Sequence, residues 1–202
     1  MIKSSPSSDL INNKLCVCKN KLNKKINFGN LPIVNNYTSK INLKKYPVII
    51  SQCEKCQLIH LKYTIPDKLL FPSNYSYLSG NSKEKIENFK SILCKIEKFS
   101  KKKDPRILDI GSNDGSFLEL AKNKYQKVLG IEPTNCANIA INKGINTIKS
   151  PLNLKLAKKI VNKYSKFDFI IGTNVLPLTN NTEGILKSIK LLLDKKGLSI
   201  IE

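Results

Sequence analysis

The 202-residue sequence lacks the features that place a chain in a membrane or outside the cell. It has no tryptophan and no run approaching the roughly 18–20 apolar residues that a bilayer-spanning helix needs. Its first residues, MIKSSPSSDLINNK, contain no apolar segment behind the lysine and therefore do not form a secretion signal. These absences predict a cytoplasmic protein with no membrane partner.

Arginine is nearly absent, although the formal net charge is +20. Of 35 basic residues only Arg106 is an arginine, whereas proteins that read phosphates or bases favour its bidentate guanidinium. The lysines are spread along the chain among many asparagines and isoleucines, as A/T-rich codons would produce. A nucleic-acid partner is therefore disfavoured. The alternative left open is affinity for anions, including a phosphorylated substrate.

Four of the six cysteines form two close pairs, Cys16 with Cys18 and Cys53 with Cys56. Because a cytoplasmic chain rarely keeps disulfides, such pairs indicate a metal site. Four thiolates can close a tetrahedral Zn²⁺ shell, and a closed shell indicates a structural role. The first pair is C-x-C, which strains the chelate relative to the usual C-x-x-C. The alternative is four buried cysteines without metal.

The other candidate metal ligand and the two remaining cysteines stand alone. His60 follows Cys56 by four residues and could replace one thiolate. Cys94 and Cys136 fall on apolar positions of predicted helices and are predicted to be core residues.

Composition and periodicity divide the chain into three segments. Residues 14–80 hold the paired cysteines and many turn formers, and we assign them to a zinc-binding domain. Residues 83–100 predict a linking helix with one apolar stripe, formed by Ile86, Phe89, Leu93, Ile96 and Phe99. Residues 104–202 alternate strands with helices, which is typical of a doubly wound parallel sheet.

Five strands and four helices are predicted in this last segment. The strands are 106–110, 127–131, 145–148, 167–171 and 197–201, and the helices are 116–124, 134–143, 152–164 and 183–193. The fold class is therefore α/β, a Rossmann-like core preceded by a small zinc-binding domain.

A glycine-rich turn separates the first of these strands from its helix. The pattern D-x-G-x-x-x-G lacks the third glycine of the dinucleotide pattern, so it indicates no pyrophosphate cradle. An acid before the turn suits a cationic cofactor with an amino-acid tail, such as S-adenosylmethionine (SAM). We predict that the turn binds SAM through Asp109, Gly111, Asn113, Asp114 and Gly115.

Glu132 closes the second strand, in Gly130-Ile131-Glu132-Pro133. An acid at the carboxyl edge of the sheet, some twenty residues after the turn, can accept both hydroxyls of a ribose. The alternative is that it only caps the following helix.

The chain resembles the nucleotide-sugar C-methyltransferases over almost all of residues 16–202. The resemblance begins at Cys18 and the stretch Phe28 to Asn35, where the family shows a signature of leucine-glycine, then proline, then asparagine. The other matching segments are Tyr46-Pro47, Cys53 to Leu58, Leu70-Phe71, Tyr75 to Gly80, Asp109 to Gly115, Gly130 to Pro133 and Thr173 to Leu176.

The resemblance implies a class I SAM-dependent methyltransferase core behind a zinc-binding module. In this family a base removes a proton next to the ketone of a nucleotide-linked deoxy sugar, and the enolate attacks the sulfonium methyl. Matched by position, Tyr75 and Tyr77 fall on the tyrosines that reach the reaction site, and Asn174 falls at the cofactor. The alternative for the tyrosines is an aromatic patch that joins the two modules.

The sequence departs from the family pattern in three places. The first cysteine pair is C-x-C where C-x-x-C is common, and Leu178 stands where the family usually has a histidine. Glu202, the last residue, resembles the first residue of a glutamate-and-histidine active-site stretch. The histidine expected to act as base and the substrate-side domain of the family would both lie beyond Glu202, and the fifth strand is left with an open edge. We therefore expect a fragment without its C-terminal domain, truncated after the fifth strand, or one half of a split enzyme whose partner chain supplies the rest.

Two other functions are compatible with the sequence. One is a non-catalytic, zinc-bearing protein whose basic surface binds nucleic acid. The other is a SAM-dependent methyltransferase with a different acceptor, in which the tyrosine motif is only packing.

Overall fold

The protein is described by a computed structural model that covers residues 10–34 and 42–202. Asn35, the end of the proposed signature, lies outside the described residues. The chain forms two compact units, Met1–Pro72 and Ser73–Glu202. Residues 73–80, which the sequence analysis assigned to the zinc-binding domain, therefore group with the second unit.

The first unit is built mainly from antiparallel strands. These are β1 (Ile11–Asn12), β2 (Leu22–Pro32), β3 (Lys45–Cys53), β4 (Ile59–Leu61) and β5 (Tyr63–Thr64), followed by the one-turn helix α1 (Asp67–Leu70). Strands β2, β3 and β4 form an antiparallel sheet, and β1 pairs with β5. The register places Leu22 opposite Cys53, so the second cysteine pair lies beside the residues that follow the first.

The second unit opens with helix α2 (Lys83–Phe99), close to the predicted 83–100. Ser82 caps it by accepting a hydrogen bond from the backbone N–H of Lys85 at 3.2 Å. The middle of the apolar stripe, Phe89, Leu93 and Ile96, is buried as expected, whereas Ile86 at its start is half-buried and Phe99 at its end is 57% exposed. Cys94 is also exposed, so its assignment to the core is wrong, whereas Cys136 is buried as predicted. Cys94 lies on the helix beside the stripe, where no neighbour covers it.

All five strands and four helices predicted for the core are present. The strands are β6 (Ile107–Ile110), β7 (Val128–Ile131), β8 (Thr147–Ile148), β9 (Phe167–Gly172) and β10 (Leu193–Ile201). The helices are α3 (Ser116–Lys122), α4 (Cys136–Asn142), α5 (Leu154–Tyr164) and α6 (Thr182–Leu192). The strands are parallel in the order β10-β9-β6-β7-β8, which confirms the doubly wound α/β fold.

Strand β10 begins four residues before the predicted start at 197. Leu193 already pairs with Phe167, and the register then shifts before Leu198 pairs with Phe169. The charged residues 194–196 occupy this irregularity. Because these charged residues interrupt the apolar run, the sequence pattern places the start of β10 too late.

Two apolar layers cover the faces of the sheet. One layer is formed by α2 and α3 against the strands, with Phe89 and Phe117 in edge-to-face contact at 5.6 Å between ring centroids. The other packs α5 and α6 against the opposite face, with Leu108, Ile170 and Leu192 fully buried. Because the strands are parallel, their carboxyl ends all lie at one edge of the sheet, which the two apolar layers leave uncovered. The residues that follow each strand therefore come together at this edge.

No helix in the described parts of the chain is both long enough and apolar enough to cross a bilayer. This agrees with the absence of long apolar runs in the sequence.

Substitution of Gly115, at the start of α3, tests how closely α3 packs against α4 in this core. Its φ is +78°, and a Cβ there would lie 2.8 Å from the Cβ of Ala140. We expect Gly115→Ala to lower the free energy of unfolding by about 2–4 kcal/mol, since left-handed strain and overpacking each cost about 1–3 kcal/mol. Urea unfolding of the purified chain measures the change.

Gly144→Ala is the matched control. Gly144 has a similar φ of +73°, but its Cβ would meet only the Lys122 side chain, at 3.6 Å. It should cost the backbone strain alone, about 1 kcal/mol. Equal losses in the two variants would show that α3 and α4 do not pack as described.

Candidate cofactor site and cysteine cluster

In the turn between β6 and α3, every second residue has a left-handed backbone. Gly111, Asn113 and Gly115 have φ values of +71°, +50° and +78°. The backbone N–H groups of Gly111 and Ser112 both donate to the carbonyl of Ile131, at 2.8 and 3.1 Å. The turn is therefore fixed against the end of β7, at the carboxyl edge of the sheet.

Glu132 is buried directly beside this turn. Its Oε2 accepts the backbone N–H of Asn113 at 3.0 Å, and its Oε1 accepts that of Thr134 at 2.8 Å. It is not the N-cap of α4, because Asn135 occupies that position. Each carboxylate oxygen has a further lone pair, so the group can accept additional hydroxyl donors.

Asp109 is 5% exposed, and no donor among residues 10–34 and 42–202 reaches its carboxylate. Burial raises its pKa well above the ordinary value of 3.8, and the negative charge of Glu132 raises it further. A buried carboxylate without a donor is costly, which makes a cationic ligand at this edge favourable. SAM has an ammonium group, a sulfonium and ribose hydroxyls, so Asp109 and Glu132 together fit its chemistry.

The side chains of Asn113 and Asp114 contact another part of the second unit. They hydrogen-bond the backbone of Tyr77, Ser79 and Gly80, within a stretch that we call the tyrosine segment, residues 73–81. The segment also carries Tyr75, and both tyrosines are half-buried. The sequence analysis assigned Asn113 and Asp114 to the cofactor and gave no signal of this contact, because more than thirty residues separate the partners.

Asn174 and Glu202 lie at the same edge of the sheet. Asn174 follows β9 in a left-handed conformation, φ +56°, and its N–H donates to the backbone carbonyl of Glu202 at 2.9 Å. The Glu202 carboxylate accepts a hydrogen bond from Asn88 Nδ2 at 2.8 Å and lies 3.6 Å from Lys85 Nζ. The sequence analysis did not identify these two residues of α2.

Leu178 ends a short 3₁₀ turn, Leu176–Leu178, and is 45% exposed. Leu178 follows β9, whose carboxyl end lies at this edge of the sheet. The position that departs from the family pattern is therefore near the candidate site in sequence.

The four paired cysteines form one cluster in the first unit. Their sulfur atoms lie within 4.8 Å of one another, with Cys16 Sγ 3.4 Å from Cys56 Sγ and Cys18 Sγ 3.5 Å from Cys53 Sγ. Thiolates about 2.3 Å from a tetrahedral zinc ion lie roughly 3.8 Å apart. The spacing and the donor set therefore fit a tetrahedral zinc, and the C-x-C pair reaches the cluster despite its short span.

Neighbouring groups perturb the cysteine thiols in opposite directions. Burial raises the pKa of Cys16 to about 12, and His60 Nε2 lies 3.1 Å from its sulfur. Hydrogen bonds from the backbone and side-chain amides of Asn20 lower the pKa of Cys18 to about 6. His60 thus contacts one cysteine sulfur, whereas the group of described residues whose ligand atoms all lie within 4.8 Å of one another consists of the four cysteines.

A family model described as "Methyltransferase domain" matches residues 85–202. The C-methyltransferase NovU of Streptomyces niveus is 23% identical over 184 residues, which cover 88% of this chain and 43% of that protein. The chain thus spans less than half the length of this curated relative.

Two solved structures are similar to part of this chain. The plantazolicin methyltransferase BpumL, solved with a pentazolic desmethylPZN analog and SAH, is 23% identical with a TM-score of 0.50, covering 67% of this chain and 52% of its own. A SAM-dependent methyltransferase from Archaeoglobus fulgidus is 23% identical with a TM-score of 0.46, covering 57% and 52%. The first of these shows a shared fold.

Asp109 allows a test of the site without any ligand. We expect Asp109→Asn to raise the melting temperature of the ligand-free chain at neutral pH, because the variant buries no charge. A change near 1 kcal/mol would shift the melting temperature by about 2–4 °C in a chain of this size. Differential scanning calorimetry measures it.

The difference in melting temperature between wild type and Asp109→Asn should change with pH in one direction. The folded state resists ionisation of Asp109, so the wild type loses stability relative to the variant as pH rises above 3.8, the ordinary value of the carboxyl pKa. The difference in melting temperature should therefore widen from about pH 5 toward pH 8. A variant less stable than wild type at every pH would contradict the assigned burial. Glu119→Gln, on the exposed face of α3, should show no such trend.

Proposed function

This chain belongs to the methyltransferase domain family, and from that premise we propose that it binds SAM for the methylation of carbon in a nucleotide-linked keto-deoxy sugar. The family model covers residues 85–202, more than half of the chain. The observation that supports SAM binding most directly is the buried pair of carboxylates, Asp109 and Glu132, one of which has no donor among the described residues.

Each residue of the site has a separate task in this proposal. Glu132 accepts the ribose hydroxyls with the lone pairs that its two backbone donors leave free. Asp109 provides negative charge for the cationic part of the cofactor. The left-handed turn at Gly111 keeps the backbone close to the ligand. When bound, SAM supplies an electrophilic methyl group.

The acceptor side rests on the resemblance to nucleotide-sugar C-methyltransferases and on the likeness to NovU, a C-methyltransferase. A carbon next to a ketone becomes nucleophilic when it loses a proton and the carbonyl oxygen takes up negative charge. Phenol O–H groups of Tyr75 and Tyr77 can donate to that oxygen or to sugar hydroxyls. Glu202, which Asn88 and Lys85 hold at the end of β10, provides a carboxylate at the same edge.

The cysteine cluster is proposed to hold a structural zinc ion. Among the residues of the first unit whose burial is described, only Cys16, Ser51, Cys53 and Ile65 are buried. Large apolar side chains of β2 remain exposed, with Ile26 at 60% and Phe28 at 55%. So small a core cannot by itself order the loops that carry the cysteines, and a metal crosslink offsets this deficit.

The function is tested by calorimetric titration with SAM and by analysis of the methylated product. We expect one SAM to bind per chain, and Glu132→Gln to weaken binding at least about tenfold, since each lost hydrogen bond to a charged group costs roughly 1.5–3 kcal/mol. With ¹³C-methyl SAM and a nucleoside-diphosphate keto-deoxy sugar, the label should appear in a new carbon–carbon bond by NMR.

The tyrosine variants separate this acceptor from others. Tyr75→Phe and Tyr77→Phe should reduce turnover with little change in SAM affinity, whereas Tyr164→Phe, on α5, should change neither. Label on oxygen or nitrogen would contradict carbon methylation. A folded, zinc-loaded chain that does not bind SAM would contradict the proposal as a whole.

Zinc binding is tested by elemental analysis of the purified chain. We expect about one zinc per chain, which Cys53→Ser should abolish because three thiolates leave the tetrahedral shell open. Cys94→Ser is the matched control, since Cys94 is exposed on α2 and should leave the zinc content unchanged. An unchanged zinc content in Cys53→Ser would show that the cluster is not the metal site.

A further inference from the structure

Asn113 uses both ends of its side-chain amide on the backbone of the tyrosine segment. Its Nδ2 donates to the carbonyl of Tyr77 at 3.0 Å, and its Oδ1 accepts the N–H of Ser79 at 2.9 Å. Its own backbone N–H donates to the Glu132 carboxylate at 3.0 Å. One buried residue therefore connects the acid at the end of β7 with the segment that carries both tyrosines.

Asp114 adds a second attachment three residues beyond Tyr77. Its Oδ2 accepts the N–H of Gly80 at 3.0 Å, while its Oδ1 accepts the N–H and hydroxyl of Ser116 at 3.2 and 2.7 Å. A Cβ at position 80 would lie 2.5 Å from Ser116 Oγ and 2.8 Å from Asp114 Oδ2. Only glycine permits this close approach, so the backbone of the segment lies directly on the cofactor turn.

Helix α4 holds the other end of the segment. The backbone N–H of Asn135 donates to the carbonyl of Ser73 at 2.9 Å. The Cys136 thiol lies 3.5 Å from the carbonyl oxygen of Tyr75 and 3.7 Å from that of Tyr77. Cys136 is 2% exposed, so its thiol reports whether the segment covers it.

We propose that Asn113 is a positioning residue, which fixes the backbone at Tyr77 and thereby sets the tyrosines relative to the cofactor turn. This rests on the proposed function, since the tyrosines matter only if they face an acceptor. The amide suits the task because it offers one donor and one acceptor, matching one carbonyl and one N–H. Asparagine also tolerates the left-handed backbone that the turn requires at this position.

Asn113→Gly removes the clamp and keeps the rest of the turn. Glycine adopts the observed φ of +50° without strain and retains the backbone N–H that donates to Glu132. Asn113→Asp keeps the shape of the side chain but turns a carboxylate oxygen toward the Tyr77 carbonyl. Both variants should release the segment, because neither keeps the amide that donates to the Tyr77 carbonyl.

The experiment uses the zinc-loaded chain of 202 residues without SAM. N-ethylmaleimide labelling of Cys136, followed by peptide mass spectrometry, measures how often the segment opens. We expect Cys136 to react about tenfold faster in Asn113→Gly than in wild type, because labelling of a buried group follows local opening. With ¹³C-labelled tyrosine, the Tyr77 ring resonance should move, whereas that of Tyr164 should not.

Ile185→Val, in the core against the opposite face of the sheet, is the control for general loss of stability. The proposal is wrong if Cys136 reactivity in Asn113→Gly rises no more than in this control, or if the Tyr77 resonance stays unchanged. Neither readout needs the cofactor. Failure of the wild type to bind SAM would therefore overturn the proposed function and leave this measurement able to decide the role of Asn113.

Discussion

The burial of two carboxylates side by side at the carboxyl edge of a parallel sheet is the constraint on which the second unit depends. The register of β6 and β7 sets Asp109 opposite Gly130, two positions before Glu132. Glu132 is stabilised by two backbone N–H groups, whereas Asp109 has no donor among the described residues. Apolar layers on both faces hold the strands in that register and offset the electrostatic cost. The turn, the tyrosine segment and the end of β10 are all arranged around this edge.

The first unit is ordered in a different way from the second. Its longest strand, β2, exposes large apolar side chains, and only four of its residues whose burial is described are buried, which is a small core for a domain of this length. The residues that follow Cys18 and Cys56, Lys19 and Gln57, both adopt left-handed backbones, which side chains other than glycine rarely do. Such strain persists where the surroundings over-determine the local geometry. Here the surroundings are the cysteine cluster, and in the proposed zinc site metal coordination takes the place that apolar burial has in the second unit.

The sequence was sufficient to predict the alternating core, because buried strands such as β7 are continuous apolar runs separated by recognisable turns. It was also sufficient to bring the two cysteine pairs into one cluster and to place Glu132 at the end of β7, whereas the binding roles of these residues stay predictions. It could not predict which face of α2 leaves Cys94 exposed, because that depends on what packs against the helix. Nor could it predict that Asn88 contacts Glu202, 114 residues away, or that the Asn113 amide binds the tyrosine segment. Such contacts depend on the tertiary arrangement and leave no periodic signal.

The buried carboxyl group of Asp109, whose ionisation the folded state opposes, also has a consequence for the lifetime of the protein. A ligand that binds only the folded state adds to its stability by mass action, and a cationic ligand here also removes an existing penalty. On the proposed function, the ligand-free chain therefore unfolds more often and is the form that proteases degrade. Cellular abundance of the protein, measured as its half-life, should then follow the supply of methyl donor. A cell short of SAM would lose the polypeptide as well as its turnover.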